Sequence, residues 1–495
     1  MRIYLNIITA FLLTATSTSK GEDLGPLEVQ VKVFEKGSNK VLKRVEIKST
    51  TNMCFTNKDG ECTLSVPPKT TLQVYRRGYE KKSVLPEDIK PLTEVYLIPG
   101  QPDDNLIEII GKSKSTPSKR KISISEAEEV APRGDPVQIT KLLPGVQVAG
   151  FRPAVIIRGS EPSDSIYRID DFSIPFVYHG VGGISVLPKQ VLNNIELYPG
   201  GFSPKYGEVT GGIIDLTTKD EPAQTKKTYL TVNLPLYSGA YHIFPLDENS
   251  SLSLSVRRSY LEIFLNKILD GMDTFVIPVF ADGHIQYLHK TPKATTKILL
   301  LGSLDALELS TTSQAADADG TFDFDISTTF GLFGFNRKEK ISNKWNYKIS
   351  PHVIVTKVTT NVGDNYVKIF GPALRLPLEL NYKVSDKETL HLGTELVSNN
   401  AEVEVLAPRV NQDDPFIDFE EAPRIKSSTK YKETITSAWM WRDFAINDFL
   451  ISPGFRTSYA SQIKSSSFDP RLTTIYNLNR ENTLTAAVGQ YSKSP

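Results

Sequence analysis

Val155-Ile156-Ile157-Arg158-Gly159 opens the stretch that decides the fold. It continues through Tyr167-Arg168-Ile169-Asp170-Asp171 and Asn194-Ile195-Glu196-Leu197-Tyr198. It closes with Pro199-Gly200-Gly201-Phe202-Ser203-Pro204-Lys205-Tyr206-Gly207-Glu208-Val209-Thr210-Gly211-Gly212-Ile213-Ile214-Asp215-Leu216-Thr217-Thr218-Lys219. Val155 to Ile157 and Ile213 to Leu216 are rich in β-branched residues and bounded by glycine, which predicts short strands. Gly200, Gly201, Gly207, Gly211 and Gly212 mark tight turns or places where the backbone must approach another wall. The stretch holds no nucleophile–base pair and no metal-ligand spacing. By its residues alone it is a compact α/β insert.

In their order, these pieces resemble the plug domain of TonB-dependent outer-membrane receptors, over residues 122–220. The resemblance rests on Arg158 and Gly159, on Asp170, on Glu196, and on Gly200, Gly201, Tyr206, Gly207, Gly211 and Gly212. It implies that these residues maintain the plug, with Arg158 and Glu196 pairing with lumen-facing charges that loosen when the plug is pulled. Asp171 departs from the pattern, which usually has Gly there; Asp tolerates the left-handed region better than most residues, so the turn can survive. Asp135-Pro136 to Gly145-Val146 reads as a short helix ended by Pro-Gly. The resemblance further implies that an outward plug loop touches ligand, and Phe176, Tyr178 and His179 fall in such a loop; a plain structural loop is the competing reading.

Outward from the plug, residues 99–121 form a polar, Pro- and Ser-rich linker with one apolar island, Leu106-Ile107-Glu108-Ile109-Ile110. A β-prone run in a tether suits strand addition to a partner sheet. By resemblance it is the TonB box; the alternative is a first plug strand that merely packs. Residues 26–98 predict a small β-sandwich, with Val29, Val31 and Val33 alternating with polar neighbours. The run Thr56-Asn57-Lys58-Asp59-Gly60-Glu61-Cys62 to Pro67-Pro68, then Gly78-Tyr79-Glu80, is similar to carboxypeptidase regulatory-like domains. Cys54 and Cys62, the two cysteines of the chain, flank the Asn57–Gly60 turn. On a hairpin they face each other as a disulfide, which export favours, or remain two buried thiols. Residues 1–20 have the charge, apolar core and small residues of a secretory signal peptide.

From residue 225 to 495 the pattern changes to long alternation. Leu374, Leu376, Leu378 and Leu380 alternate with Arg375, Pro377, Glu379 and Asn381, and Trp345, Tyr347, Ile349, Val353 and Val355 share one face. Nine or more alternating residues suit a tilted strand crossing a bilayer, which takes roughly 9 to 11. Residues 385–388, 445–448 and 479–481 read as tight turns, and 304–321 and 398–427 as long polar loops, the two-sided layout of an outer-membrane barrel. Trp439, Trp441 and Tyr431 suit an aromatic girdle, with burial as the alternative. The charged faces of the strands are expected to look onto the lumen and plug. About a dozen strands are visible, against about 22 in barrels with a plugged lumen. The expected fold is therefore mainly β: an N-terminal β-sandwich, an α/β plug domain and an incomplete antiparallel transmembrane β-barrel. It would be a fragment, a truncated frame or half of a split receptor.

Composition narrows the function. Lys plus Arg and Asp plus Glu are each 57, and this zero balance argues against a general nucleic-acid binder. The six histidines offer only His284 and His289 as a close pair, and their spacing puts them on opposite faces of a strand, so no metal or cofactor is expected. No enzyme motif is present. The resemblance implies a receptor that takes a scarce ligand (siderophore, cobalamin, glycan or peptide) into the periplasm. Energy would come from TonB with ExbB and ExbD, the barrel would sit in outer-membrane lipid, and the N-terminal domain and box would lie in the periplasm. The rival reading is a non-transporting binding or signalling module, and membrane insertion separates the two.

Overall fold

The computed structural model describes residues 27–38, 40–49, 52–67, 70–76, 79, 82–98, 119–124, 127, 140, 145–149, 154–179, 184–234, 236–268, 274–312, 321–408, 423–478 and 483–493. The signal peptide, the Leu106–Ile110 box and most of the helix expected near 135–146 lie outside these residues. The chain divides into two compact units, Met1–Glu108 and Ile109–Pro495.

The first unit is a sandwich of seven strands: β1 (Leu27–Glu35), β2 (Glu46–Lys48), β3 (Met53–Phe55), β4 (Glu61–Val66), β5 (Leu72–Tyr75), β6 (Lys82–Val84) and β7 (Leu92–Leu97). One sheet runs β4-β1-β7 and the other β3-β2-β5-β6. Alternation puts Val29, Val31 and Val33 of β1 inside, against Leu64, Ile47, Leu72 and Val74. Cys54 and Cys62 form a disulfide. It does not cross a hairpin as expected: β3 and β4 belong to different sheets, so the bond ties the two layers together.

The second unit begins with the plug strands: β8 (Arg120–Ser123), β9 (Val146–Ala149), β10 (Ala154–Ile157), β11 (Ile166–Ile169), β12 (Phe172–Ile174), β13 (Leu192–Tyr198) and β14 (Ile213–Thr218). β9 and β10 form a hairpin, and the others a five-stranded mixed sheet in the order β12-β11-β14-β13-β8. Only β11 and β14 run parallel in it. β14 is buried along nearly its whole length because it lies at the centre.

The wall follows: β15 (Lys227–Asn233), β16 (Tyr237–Asp247), β17 (Ser250–Ser259), helix α1 (Leu261–Ile268), β18 (Thr274–Lys290), β19 (Ala294–Thr312), β20 (Thr321–Lys340), β21 (Trp345–Ile349), β22 (His352–Val362), β23 (Asn365–Ser385), β24 (Glu388–Pro408), β25 (Arg424–Ile446), β26 (Phe449–Ala460), β27 (Ser465–Asn477) and β28 (Thr483–Gly489). They form one antiparallel sheet of fourteen strands, somewhat more than the expected dozen. β21 and β22 share one register on both neighbours, Arg337↔Ile349 continuing into Gly334↔His352. They are one strand interrupted at Pro351, which has no N–H to give the ladder, so fourteen strands fill thirteen positions. Among the described residues no ladder joins β15 to β28. No described helix is long and apolar enough to cross a membrane, which says nothing of crossing by strands.

Side-chain parity in the wall is as expected. Ile285, Leu300, Phe333, Val353, Leu374 and Leu376 point outward and exposed, while Gln286, Lys297, His352 and Arg456 point inward and are buried. The turns at 385–388 and 445–448 are present. The expected loops are much shorter than predicted, because β19, β24 and β25 run on to Thr312, Pro408 and back to Arg424. Trp439 and Trp441 are buried on the inward face: Trp441 stacks on His391 at 4.3 Å and Trp439 lies under Arg456 at 5.0 Å. These two therefore form no lipid-facing girdle; Tyr431, on the same parity, is exposed and donates to Glu433 at 3.3 Å.

Candidate functional site

The plug meets the wall through side chains that the sheet order brings together from distant parts of the chain. An apolar seam comes first. Phe172, Ile174 and Phe176 of the plug share a core with Leu299, Leu301, Phe330, Leu332 and Ile354. Phe176 meets Phe330 edge-on at 5.1 Å. The Phe172 ring covers Gly334, where a Cβ would lie 2.7 Å from ring carbons.

Beside the seam stands the turn between β11 and β12. Ile169 pairs with Phe172, leaving Asp170 and Asp171 as a two-residue loop. Both have positive φ, 49° and 73°, as a type I′ hairpin requires. Asp170 accepts from Lys297 Nζ at 2.9 Å and from the Thr218 N–H at 3.1 Å. Gln286 completes this buried knot by donating to Thr218 Oγ1 at 2.6 Å. Asp171 takes Arg168 at 2.6 Å, Lys205 at 3.4 Å and a close ion pair with Lys348. Lys205 and Lys348 are shared with Glu379, at 3.3 and 3.7 Å. Burial alone would push the Asp171 carboxyl up; Lys348, Lys205 and Arg168 outweigh it and hold the group well below the usual carboxylate range. The residue that breaks the expected glycine pattern is thus the anion around which three cations gather.

The glycine-rich loop after β13 is gripped by wall arginines. Arg456 donates to the Lys205 carbonyl at 3.0 Å, and Arg471 donates to those of Ser203 and Tyr206 at 2.8 and 2.7 Å. Gly207 lets Arg456 in: a Cβ there would lie 2.2 Å from its Nε. Gly200 and Gly201 turn the chain with positive φ, and Gly211 and Gly212 admit Ser160 and Ile157 from within the plug. Under this loop, Asp215 lies between Arg168 and Glu196 on neighbouring strands. Burial raises its carboxyl to about 6, against the pull of Arg168.

Arg158 and Glu196 do not reach the wall. Glu196 pairs with Lys119 at 2.9 Å and accepts from Tyr198 at 2.7 Å, both inside the plug. Arg158 is exposed at positive φ and lies against Gly145 and Gly200. The reason is sheet position: the wall charges face the β11–β12 turn and the 200–209 loop. Lys205, Lys348, Glu379, Lys297, Arg456 and Arg471 perform the expected cross-pairing instead.

Phe176, Tyr178 and His179 are all buried, so none offers an open ligand-facing surface. Tyr178 pairs with Ser185 as an isolated antiparallel bridge. His179 is held through Nε2 by Asp282 at 3.0 Å and through Nδ1 by Asp305 at 3.0 Å. Its ring stacks on Phe280 at 4.3 Å. Among the described residues, no three His, Cys, Asp or Glu side chains are placed to hold a metal ion.

No protein-family model matches the chain, and no curated protein matches it. Solved structures do. A variant of the ferric enterobactin receptor from Pseudomonas aeruginosa is similar with a TM-score of 0.56 at 16% identity, over 78% of this chain and 63% of that one. The outer membrane transporter YddB from Escherichia coli gives 0.56 at 12%, over 76% and 61%. The siderophore receptor PirA from Acinetobacter baumannii gives 0.55 at 17%, over 77% and 62%. This chain therefore spans less than two thirds of the length of those proteins. At such identities the likeness concerns the fold alone, and the fold is like that of TonB-dependent outer-membrane receptors: a small plug sheet packed against a large antiparallel β-sheet wall.

Proposed function

We propose that the chain belongs to an outer-membrane receptor that moves a scarce ligand into the periplasm with energy relayed by TonB, ExbB and ExbD, and that it breaks no bond in its cargo. The carrying observation is the plug–wall contact. The plug's Asp170, Asp171 and 200–209 loop are held by Lys297, Lys348, Glu379, Arg456 and Arg471 on the inward face of a wall whose outward face is apolar. Contacts of this kind can be exchanged for water one at a time, whereas a purely apolar core must open at once. Neighbours that are a ferric enterobactin receptor and a siderophore receptor support ferric siderophores as the first ligands to test, with cobalamin, glycans and peptides as the alternatives. Leu106–Ile110 is the segment we assign to TonB, with the sandwich in the periplasm.

Uptake of radiolabelled ferric siderophores into cells expressing the gene, with and without TonB and with and without a proton uncoupler, tests this. TonB-dependent uptake abolished by the uncoupler, and lost when Ile107 and Ile109 become proline, is expected. Recovery of the chain from the soluble periplasm with no uptake would sink the reading and favour a binding or signalling module.

A further inference from the structure

The plug segment that carries Tyr178 and His179 is tied to β18 and β19 by one imidazole. Both ring nitrogens face carboxylate oxygens, Nε2 that of Asp282 and Nδ1 those of Asp305. An ionised carboxylate only accepts hydrogen bonds, and a neutral imidazole has one N–H. Both contacts are made together only when the ring is an imidazolium. The His179 and Asp282 side chains are 0% and 1% exposed, and Asp305 is 17% exposed. From β17, Arg257 Nε clamps Asp282 at 3.0 and 3.1 Å, and the same guanidinium donates to the Ser185 carbonyl. His284, also on β18, is occupied by Ser253 and Ser255. Tyr237 of β16 packs on Phe280, and Ser303 of β19 contacts Asp305 at 3.5 Å. The Tyr178 hydroxyl bonds to Thr140.

We propose that His179 is a proton-operated latch: as imidazolium it docks the paired segments 177–179 and 184–186 on the wall, and when Nδ1 gives up its proton the Asp305 contact breaks and this pair opens. The proton leaves on the Asp305 side, the more exposed of the two, and passes to water. Loss of the proton also sets a nitrogen lone pair against a carboxylate, so the contact turns from attraction to repulsion. Burial pushes the imidazole down, and the two aspartates more than reverse this, holding it above its ordinary value. The latch is therefore fully closed below the unfolded-state value of about 6.5 and opens as pH rises through the higher folded-state value. Linkage works both ways: any other force that opens the pair expels a proton from His179. This concerns the contact itself and stands apart from the uptake reading.

Hydrogen exchange on the full chain folded in detergent micelles tests it, read at the His179 and Val186 amides. These donate to the Ile184 and Val177 carbonyls at 2.7 and 3.0 Å. After correction for intrinsic base catalysis, protection in the wild type falls about tenfold or more between about pH 6 and about pH 10, as expected for losing a hydrogen bond to a charged group. It is flat in His179→Gln, and the midpoint moves to lower pH in Asp305→Asn. Amides of β1 and β4 in the sandwich, a separate unit, serve as an internal control and stay unchanged. Wild-type protection that stays flat, or His179→Gln losing protection as the wild type does, overturns the proposal. If His179→Gln does not fold, an unmoved midpoint in Asp305→Asn overturns it alone.

Discussion

Replacing Asp171 by glycine restores the residue that the turn pattern favours, and the structure says the plug becomes weaker. Two effects oppose each other. Asp171 sits at φ 73°, and glycine relieves left-handed strain of roughly 1 kcal/mol. The same change strips the carboxylate from Arg168, Lys205 and Lys348, leaving Glu379 as the nearby anion for two of these three cations. Removing one partner from a buried ion pair costs about 3–5 kcal/mol. The net loss is then about 2–4 kcal/mol. The assay is urea unfolding of the plug in micelles, followed by tryptophan fluorescence. Trp439 and Trp441 face the plug and report its departure, whereas Trp345 is half-exposed and insensitive. With a slope of about 2 kcal/mol per molar urea, the midpoint falls by about 1–2 M. Because the Asp171 carboxyl titrates well below the usual range, its contribution is present at neutral pH and is lost only in strong acid, as pH falls through the depressed folded value. A midpoint equal to or above that of the wild type at neutral pH would refute the reasoning, and backbone strain rather than charge would then govern this turn.

Asp215 predicts an opposite pH trend in the same assay. Burial raises its carboxyl to about 6, so its contribution is full below the unfolded value of about 3.9 and is lost as pH rises through 6. The plug's urea midpoint therefore climbs between about pH 7 and about pH 5, and Asp215→Asn removes that climb. Two glycines contrast. Gly212→Ala puts a Cβ 2.4 Å from Ile157 Cδ1 and 3.0 Å from its Cβ, and costs about 1–3 kcal/mol in plug stability. Gly302→Ala meets nothing within 4 Å on the outward face and leaves the midpoint unchanged. Reducing Cys54–Cys62, separated by eight residues, destabilises the sandwich by about 2.5 kcal/mol on loop-entropy grounds. Faster proteolysis of residues 27–98 under dithiothreitol, with the plug untouched, is the expected readout.

Much of the fold was legible because lipid and plug impose opposite demands on alternate residues. Leu374 and Leu376 against Arg375 and Glu379 announce an outward and an inward face by alternation alone. The ends of the strands were not legible. Residues 304–312 and 398–408 read as loops because, away from lipid, both faces of a strand meet water and the alternation fades. The glycines at 207, 211 and 212 signalled close approach, and close approach is what they provide. Which wall approaches was hidden, since Gly207 meets Arg456 through a sheet register set by every strand between them. Asp170 and Lys297 are likewise joined only by the fold. Arg158 and Glu196 misled for the same reason: their charge was visible, but the side of the plug they occupy was not. The disulfide partners were readable, and their placement on two sheets was not, because β3 and β4 look like a hairpin until the sheet order separates them.

The long strands have a consequence of their own. β25 has 23 residues, which at about 3.3 Å each is about 75 Å along the strand. Inclined at about 40°, it would stand about 57 Å tall, roughly 27 Å more than the hydrocarbon core of a bilayer. The surplus carries Arg424 to Lys432, whose side chains are mostly exposed. Together with the far end of β24 it makes a stiff, two-stranded, hydrogen-bonded ribbon, its lysines, serines and glutamates standing out into water.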